Sequence, residues 1–107
     1  MKKQESRTFA IAFQKPAFRD AALAVVASIP AGQTLSYGEV ALRAGYPGAA
    51  RAVGTLMSRN RDPLIPCHRV VRSDGTVGEY AFGGTKQKIA RLKKEGVSID
   101  HDGRVLK

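Results

Sequence analysis

Apolar positions along the chain change their period several times, and each change marks an element. Phe9, Ile11 and Phe13 alternate with small or polar residues, which predicts a short strand inside an N-terminal extension over residues 1–15. From Pro16 the spacing turns helical. Phe18, Ala22, Val25, Val26 and Ile29 share one side of a helix running to Ser28, with Pro16 near its first position and Pro30-Ala31-Gly32 as its stop. Ser36-Tyr37-Gly38-Glu39 has Ser and Glu at capping-box spacing, so a short helix to about Ala44 is expected, stopped by Gly45. Residues 49–58 read as another helix, with Ala50, Val53, Leu56 and Met57 on one side. The two short helices, joined by Ala44-Gly45-Tyr46-Pro47, make a helix-turn-helix candidate. The same pattern also fits an ordinary helical hairpin.

Residues 59–66 read as loop and extended chain. Val70 and Val71, then Ser73-Asp74-Gly75, then Val77 predict a small hairpin with Asp-Gly at its turn. Tyr80-Ala81-Phe82-Gly83-Gly84 is a glycine-rich loop with two aromatics. Thr85 is placed to cap a last helix over 86–95, with Ile89 and Leu92 buried and Gly96 as the stop. Val97, Ile99 and Val105 flank Asp102-Gly103, as another hairpin or a ragged end. There are no internal repeats and no long linker, and 107 residues support one domain.

Charge adds a partner to this outline. Lys and Arg number 18 against 9 Asp and Glu, a net charge of +9. The cations are spread along the chain, so they belong to the domain rather than to a tail, and they point to a polyanion, nucleic acid first. No segment combines a basic face with a large apolar one, and no apolar run approaches the roughly 18 residues of a membrane span, so no membrane partner is expected. The start MKKQESRTF lacks the apolar stretch of a secretory signal. The single cysteine makes neither an internal disulfide nor a cysteine-rich zinc site, and a free thiol fits a reducing compartment. A cytoplasmic location is the expectation.

Chemistry concentrates in Pro66-Cys67-His68-Arg69-Val70. A cysteine attacks as thiolate, an imidazole takes its proton, and a carboxylate orients the imidazole. Glu95 is the natural third member if the last helix packs beside this segment. On the residues alone, a buried structural cysteine beside a surface histidine is the plainer reading.

Taken in order, Ser28-Ile29-Pro30-Ala31-Gly32, LSYGEVA, GAARAVG, IPCHRVV, VGEYAFGG and LKKEG carry a resemblance over residues 16–97. The chain resembles the DNA-binding and active-site domain of the O6-alkylguanine-DNA alkyltransferases (methylated-DNA–protein-cysteine methyltransferases). The resemblance implies a mainly α, single-domain winged helix-turn-helix over residues 16–107, with a short β-hairpin or wing. It implies a monomer on double-stranded DNA containing O6-alkylguanine, with the second helix of the motif in the minor groove. The damaged base is flipped out of the stack to reach a thiolate. Arg51 matches the arginine that fills the vacated stack, and Tyr37 the tyrosine that helps rotate the nucleotide and lines the base pocket. The small residues Ala49, Ala50, Ala52 and Gly54 let this helix sit close to the sugar-phosphate wall. Cys67 matches the alkyl acceptor, His68 the residue that takes its proton through a water, and Glu95 the residue that orients His68. Tyr37 supplies a hydrogen bond or proton to the leaving guanine. The thioether is stable, so each molecule acts once. The alkyl donor is the DNA, so neither cofactor nor metal is implied.

Asn60 matches the asparagine that pins the turn before the active-site segment, and Arg69 is read as structural. Tyr80, Ala81 and Phe82 form the rim of the substrate pocket, with Gly83 and Gly84 permitting its tight loop. The segment from Asn60 to Cys67 is one residue shorter than the common family form, and the pocket loop carries an extra residue. The N-terminal domain of full-length relatives is not in this chain. That brings in the alternative of alkyltransferase-like proteins, small relatives that lack the acceptor cysteine and flag O6-alkylguanine for nucleotide excision repair proteins. Retention of Cys67 favours transfer, and the length favours lesion binding alone. A third reading is a general DNA-binding regulator that uses only the helix-turn-helix. Acting on DNA implies the nucleoid in a prokaryote or the nucleus in a eukaryote.

Overall fold

The computed structural model describes residues 17–106, so the strand expected around Phe9 and the helix start expected at Pro16 lie outside the described residues. Helix α1 (Phe18–Ala27) buries Ala22 and Val26 completely, one turn apart on one face. It closes as the backbone amides of Ser28 and Ile29 bond back to Val25 and Val26, and Pro30 follows. Strand β1 (Leu35–Ser36) leads directly into α2 (Tyr37–Arg43). The capping box is complete: Ser36 Oγ accepts from Glu39 N at 3.0 Å, and Ser36 N donates to Glu39 Oε1 at 2.8 Å. At its other end Gly45 N donates to Leu42 O and Tyr46 N to Ala41 O, a Schellman closure that needs the left-handed φ of +91° at Gly45. Helix α3 (Ala50–Ser58), with Ala49 at its cap position, packs on α2, which packs on α1. Val40, Ala41, Val53 and Met57 fill the space among the three helices.

The chain then runs through a loop to a single 3₁₀ turn (Cys67–Arg69) and strand β2 (Val70–Val71). The strands β1 and β2 pair in parallel, Leu35 opposite Val70 and Ser36 opposite Val71. The register sets the site. Tyr37 follows β1 directly and Cys67 to Arg69 directly precede β2. The two residues of β2 point to opposite faces, as strand geometry requires, so Val70 joins the three-helix core and Val71 a second core. That second core holds Val77, Leu92 and Val97, with Ile89, Ile99 and Val105 packed around it.

Two expectations change in this second half, and one left open is decided. Helix α4 spans Gly84–Lys94 with Gly83 at its cap, so Thr85 lies inside the first turn instead of capping it, and its Oγ1 donates to Gly78 O at 3.0 Å. The Asp74-Gly75 turn forms, with Gly75 N on Arg72 O and Arg72 N on Thr76 O. The chain after it bridges to Arg104 rather than continuing a ladder with Val70 and Val71, because those two are already paired with β1. The C-terminal segment is a hairpin and not a ragged end: Ile99 bridges Val105 around a turn in which Gly103 N donates to Asp100 O. Among the described residues no helix is long and apolar enough to cross a membrane.

Candidate functional site

Cys67 is 5% exposed, at the start of the 3₁₀ turn. Asn60, just past α3, holds the loop before it: its Nδ2 donates to Asp62 O at 3.1 Å and its Oδ1 accepts from Asp62 N at 3.1 Å. The same Nδ2 lies 3.5 Å from Cys67 Sγ as a donor. The loop is thereby tied to the thiol from the helix-turn-helix side.

A closed polar cluster stands on one flank of Cys67. His68 is 2% exposed, and its Nε2 lies 3.0 Å from Glu95 Oε2. Glu95 is the residue that ends α4, where Gly96 N donates to Lys93 O and Val97 N to Leu92 O in a second Schellman closure, with Gly96 at φ +94°. A carboxylate is unfavourable at a helix C-terminus. Arg69 compensates: its Nε donates to Glu95 Oε1 at 3.0 Å, its Nη2 to Oε2 at 2.7 Å, and its Nη1 to Ile29 O at 2.7 Å. One guanidinium therefore joins the end of α1 to the end of α4. The Arg69 hydrogen bonds, ahead of that from His68, hold the Glu95 carboxyl down at about 2. Burial pushes the His68 imidazole below its usual 6.5, with Glu95 opposing. The neutral ring facing an ionised, acceptor-only carboxylate carries its proton on Nε2, which leaves the Nδ1 lone pair free as a base.

A second polar pair stands on the other flank. Tyr37 is half-buried. Its hydroxyl receives a 3.4 Å contact from Lys88 Nζ, long for a hydrogen bond, and the ammonium lies 5.7 Å from the ring centroid. Lys88 is 1% exposed and also donates to Glu79 O at 3.2 Å. Burial pulls its ammonium down to about 8, while negative charge on Cys67 favours its charged form. Burial raises the Tyr37 phenol above 10, and the positive charge of Arg72 opposes that. Sequence reading missed Lys88. Its signal is a misfit: a lysine four residues before Leu92, on the apolar stripe of α4.

The remaining candidates lie on the loop before α4 and on α3. Tyr80 is buried, 6.2 Å edge-on to His68 and 5.7 Å from Phe82, and Arg91 Nη1 donates to its hydroxyl at 2.7 Å. Ala81 and Phe82 are half-buried and Gly83 is exposed at the cap of α4. Helix α3 separates two clefts. The one behind it, of about 530 Å³, is lined by α1 and by Asn60. The one in front, of about 630 Å³, is lined by Tyr37, Ala50, Arg51, Gly54, Ser58 and Arg72, and it is the one that opens beside Tyr37. Ala49 is half-buried and Arg51 exposed. Gly54 would meet nothing within 4 Å if it carried a Cβ, so internal packing gives no reason for a glycine in this helix. Among the described residues no group of three or more His, Cys, Asp or Glu is placed to hold a metal ion.

Comparison with known proteins bears on the family and the fold. Residues 17–97 match the family model described as 6-O-methylguanine DNA methyltransferase, DNA binding domain. The chain is 56% identical over 79 residues to the methylated-DNA–protein-cysteine methyltransferase of Methanothermobacter thermautotrophicus, which covers 73% of this chain and 43% of that protein. It is 55% identical over 67 residues to the mouse protein of the same name, covering 62% of this chain and 32% of that one. It thus spans less than half the length of these relatives. The OGT of Mycobacterium tuberculosis, solved in complex with DNA, superposes with a TM-score of 0.70 at 40% identity, over 76% of this chain and 49% of that one. Atl1 of S. pombe, in complex with damaged DNA containing O6-carboxymethylguanine, also gives 0.70, at 32% identity over 82% of this chain and 85% of that one.

Proposed function

The chain belongs to the 6-O-methylguanine DNA methyltransferase DNA-binding-domain family, and on that premise we propose that it repairs DNA by direct reversal, moving the alkyl group of O6-alkylguanine onto Cys67. The observation that carries the reading is the setting of the chain's one cysteine: a buried thiol next to a histidine–carboxylate pair and close to a phenol–ammonium pair, whose Tyr37 lines an open cleft. A structural cysteine needs none of these neighbours.

The duplex docks with α3 in the minor groove. Gly54, Ala49 and Ala50 present little side chain, so the helix backbone approaches closely. A helical glycine costs about 0.5–1 kcal/mol against alanine, and close approach to a partner is the compensation that internal packing does not supply. The alkylated nucleotide leaves the stack and enters beside Tyr37. Arg51, planar and cationic, occupies the space left behind. Tyr80, Ala81, Phe82 and Gly83 form the loop that borders the extruded base on the His68 side, and Asn60 steadies the thiol.

The chemical step is an in-line displacement. A bond forms between Cys67 Sγ and the alkyl carbon as the carbon–O6 bond breaks, and its electron pair leaves with guanine. The thiol proton passes to His68 Nδ1 through a bridging water, and Glu95 stabilises the resulting imidazolium. Tyr37, held by Lys88, donates to the guanine that accumulates charge. The ammonium of Lys88 favours both the thiolate before the step and the phenolate after it. No cofactor is called for, because the duplex carries the donor. The thioether does not revert, so one molecule makes one transfer. Working on DNA sets it to act in the nucleoid or the nucleus.

The likeness to Atl1, spanning 85% of that chain, supports a second reading in which the lesion is bound and flagged for nucleotide excision repair without transfer. Intact-protein mass spectrometry separates the two. After incubation with duplex DNA holding one O6-methylguanine, the protein gains one CH2, mapped to Cys67 and absent in Cys67→Ala. An unchanged mass with selective binding to that duplex supports the second reading instead.

A further inference from the structure

Arg72 is a cation on the rim of the front cleft that belongs to neither polar cluster. It follows β2, and its backbone closes the turn to Thr76, where Arg72 N donates to Thr76 O and Arg72 O accepts from Gly75 N, both at 2.9 Å. Its side chain is exposed and, among the described residues, takes part in no hydrogen bond or ion pair. Two carboxylates stand near it. Asp74 is turned into its own loop, its Oδ1 accepting from Thr76 N at 2.9 Å and Thr76 Oγ1 at 2.7 Å. Glu79 is exposed on the same rim.

The guanidinium is nevertheless placed. The Arg72 side chain lies over Gly78, where a Cβ would stand 3.5 Å from Arg72 Nε and 3.7 Å from Arg72 Cγ. The same Cβ would stand 3.3 Å from the Tyr37 hydroxyl. Arg72 therefore runs alongside Tyr37, in the cleft that Arg51 also lines. A free planar fork of donors suits two oxygens of one phosphodiester. A nucleotide leaving the stack carries its own phosphates past this rim, where Glu79 alone would repel them.

We propose that Arg72 is a positioning residue that binds a phosphodiester directly flanking the flipped O6-alkylguanine and holds that nucleotide over Tyr37. The inference rests on the flipping reading above. It separates two arginines of one cleft: Arg51 replaces the base, and Arg72 holds the backbone that moved with it.

The test is a binding cycle on the Cys67→Ala protein, which stops transfer. Affinity is measured for a duplex with one O6-methylguanine, then with the 5′ or the 3′ flanking phosphate replaced by a neutral methylphosphonate. Arg72→Ala weakens binding about tenfold, the size of one charge-assisted hydrogen bond, and lowers the slope of log affinity against log salt by about one. In Arg72→Ala one of the two neutral linkages costs nothing further, and Arg72→Lys recovers part of the loss. Additive losses at both linkages, or an unchanged affinity in Arg72→Ala, overturn the proposal. A thermal melt of each variant separates loss of contact from loss of fold. A Cys67→Ala protein that shows no preference for the methylated duplex over the plain one sinks the flipping reading itself, and this inference with it, by a different readout.

Discussion

The two polar groups that flank Cys67 differ in how their charges are matched. On one side His68, Glu95 and Arg69 form a closed set, with ionic partners and bonds of 2.7–3.0 Å. On the other, Lys88 is as buried as His68 but is bonded to a carbonyl at 3.2 Å and contacts a phenol at 3.4 Å, with no carboxylate of the described residues among its hydrogen-bond partners. A matched set resists change over a wide pH range, and an unmatched buried charge titrates close to neutrality. The first set holds a geometry around His68, and the second leaves a buried charge beside Tyr37 that the proposed transfer can use.

Breaking the closed set has the largest expected effect. Glu95→Gln leaves one acceptor oxygen where the carboxylate offers two to His68 and Arg69, removes the charge that stabilises the imidazolium, and leaves the Arg69 guanidinium with a neutral partner. Transfer falls about 10²-fold or more, the scale of general acid–base catalysis, and the fold loses about 2 kcal/mol, a partly buried pair being broken. The sign with pH follows from the depressed carboxyl. The folded pKa, about 2, lies below the unfolded one, so this stability is present above about pH 4.5 and is lost as pH falls towards 2. Single-turnover rates and acid-unfolding curves of the variant check both halves, and a variant as acid-sensitive as the parent contradicts the clamp.

Removing Arg51 comes next. Arg51→Ala weakens binding to alkylated duplex about tenfold, as loss of one well-placed guanidinium contact does, and leaves the melting temperature unchanged. Equal transfer rates on duplex for variant and parent contradict the stack-filling role.

Opening the other flank sharpens the contrast. Lys88→Met slows transfer at pH 7 about tenfold, the effect of about 1.4 kcal/mol of lost charge stabilisation, and does not destabilise the fold as Glu95→Gln does. The folded pKa of Lys88, about 8, lies below its unfolded 10.5, so the folded state binds fewer protons between those values and the parent gains stability as pH rises through that window. Lys88→Met lacks this gain. Denaturant titrations at pH 7.5 and pH 9.5 compare the two, and an identical rise in the variant removes Lys88 as its source.

The smallest effect lies outside both clusters. Gly54→Ala raises stability by about 0.5–1 kcal/mol and weakens duplex binding severalfold. A variant that gains stability with unchanged affinity shows that α3 does not approach its partner closely at that position.

The two flanks also differ in how far the sequence reveals them. Local signals read well: Ser36 with Glu39, Gly45 and Gly96 mark helix ends that the structure places where expected, because caps are decided within a few residues. Cys67 and His68 are adjacent, and the resemblance supplies Glu95, so the closed cluster is visible apart from the clamp made by Arg69. The parallel pairing of β1 with β2 is not visible. Two residues on each side, 35 positions apart, carry no periodicity, yet that pairing brings Tyr37 to Cys67. The Asp74-Gly75 turn reads correctly while its strand partner does not, since the partner, Arg104, is set by tertiary packing. Thr85 looks like a cap, but Gly83 takes that position. Lys88 appears only as a polar residue where the helix stripe calls for an apolar one.

The most direct test of the two-sided account is the pH profile of the single-turnover transfer rate at saturating duplex, for the parent and for Lys88→Met. The account predicts a bell for the parent. It rises below pH 6.5 as His68 becomes neutral and falls through about pH 8 as Lys88 loses its proton. Lys88→Met keeps the acid limb and loses the descending limb at pH 8. A descending limb that persists unchanged in Lys88→Met, or a parent rate that stays flat from pH 7 to pH 9, contradicts it.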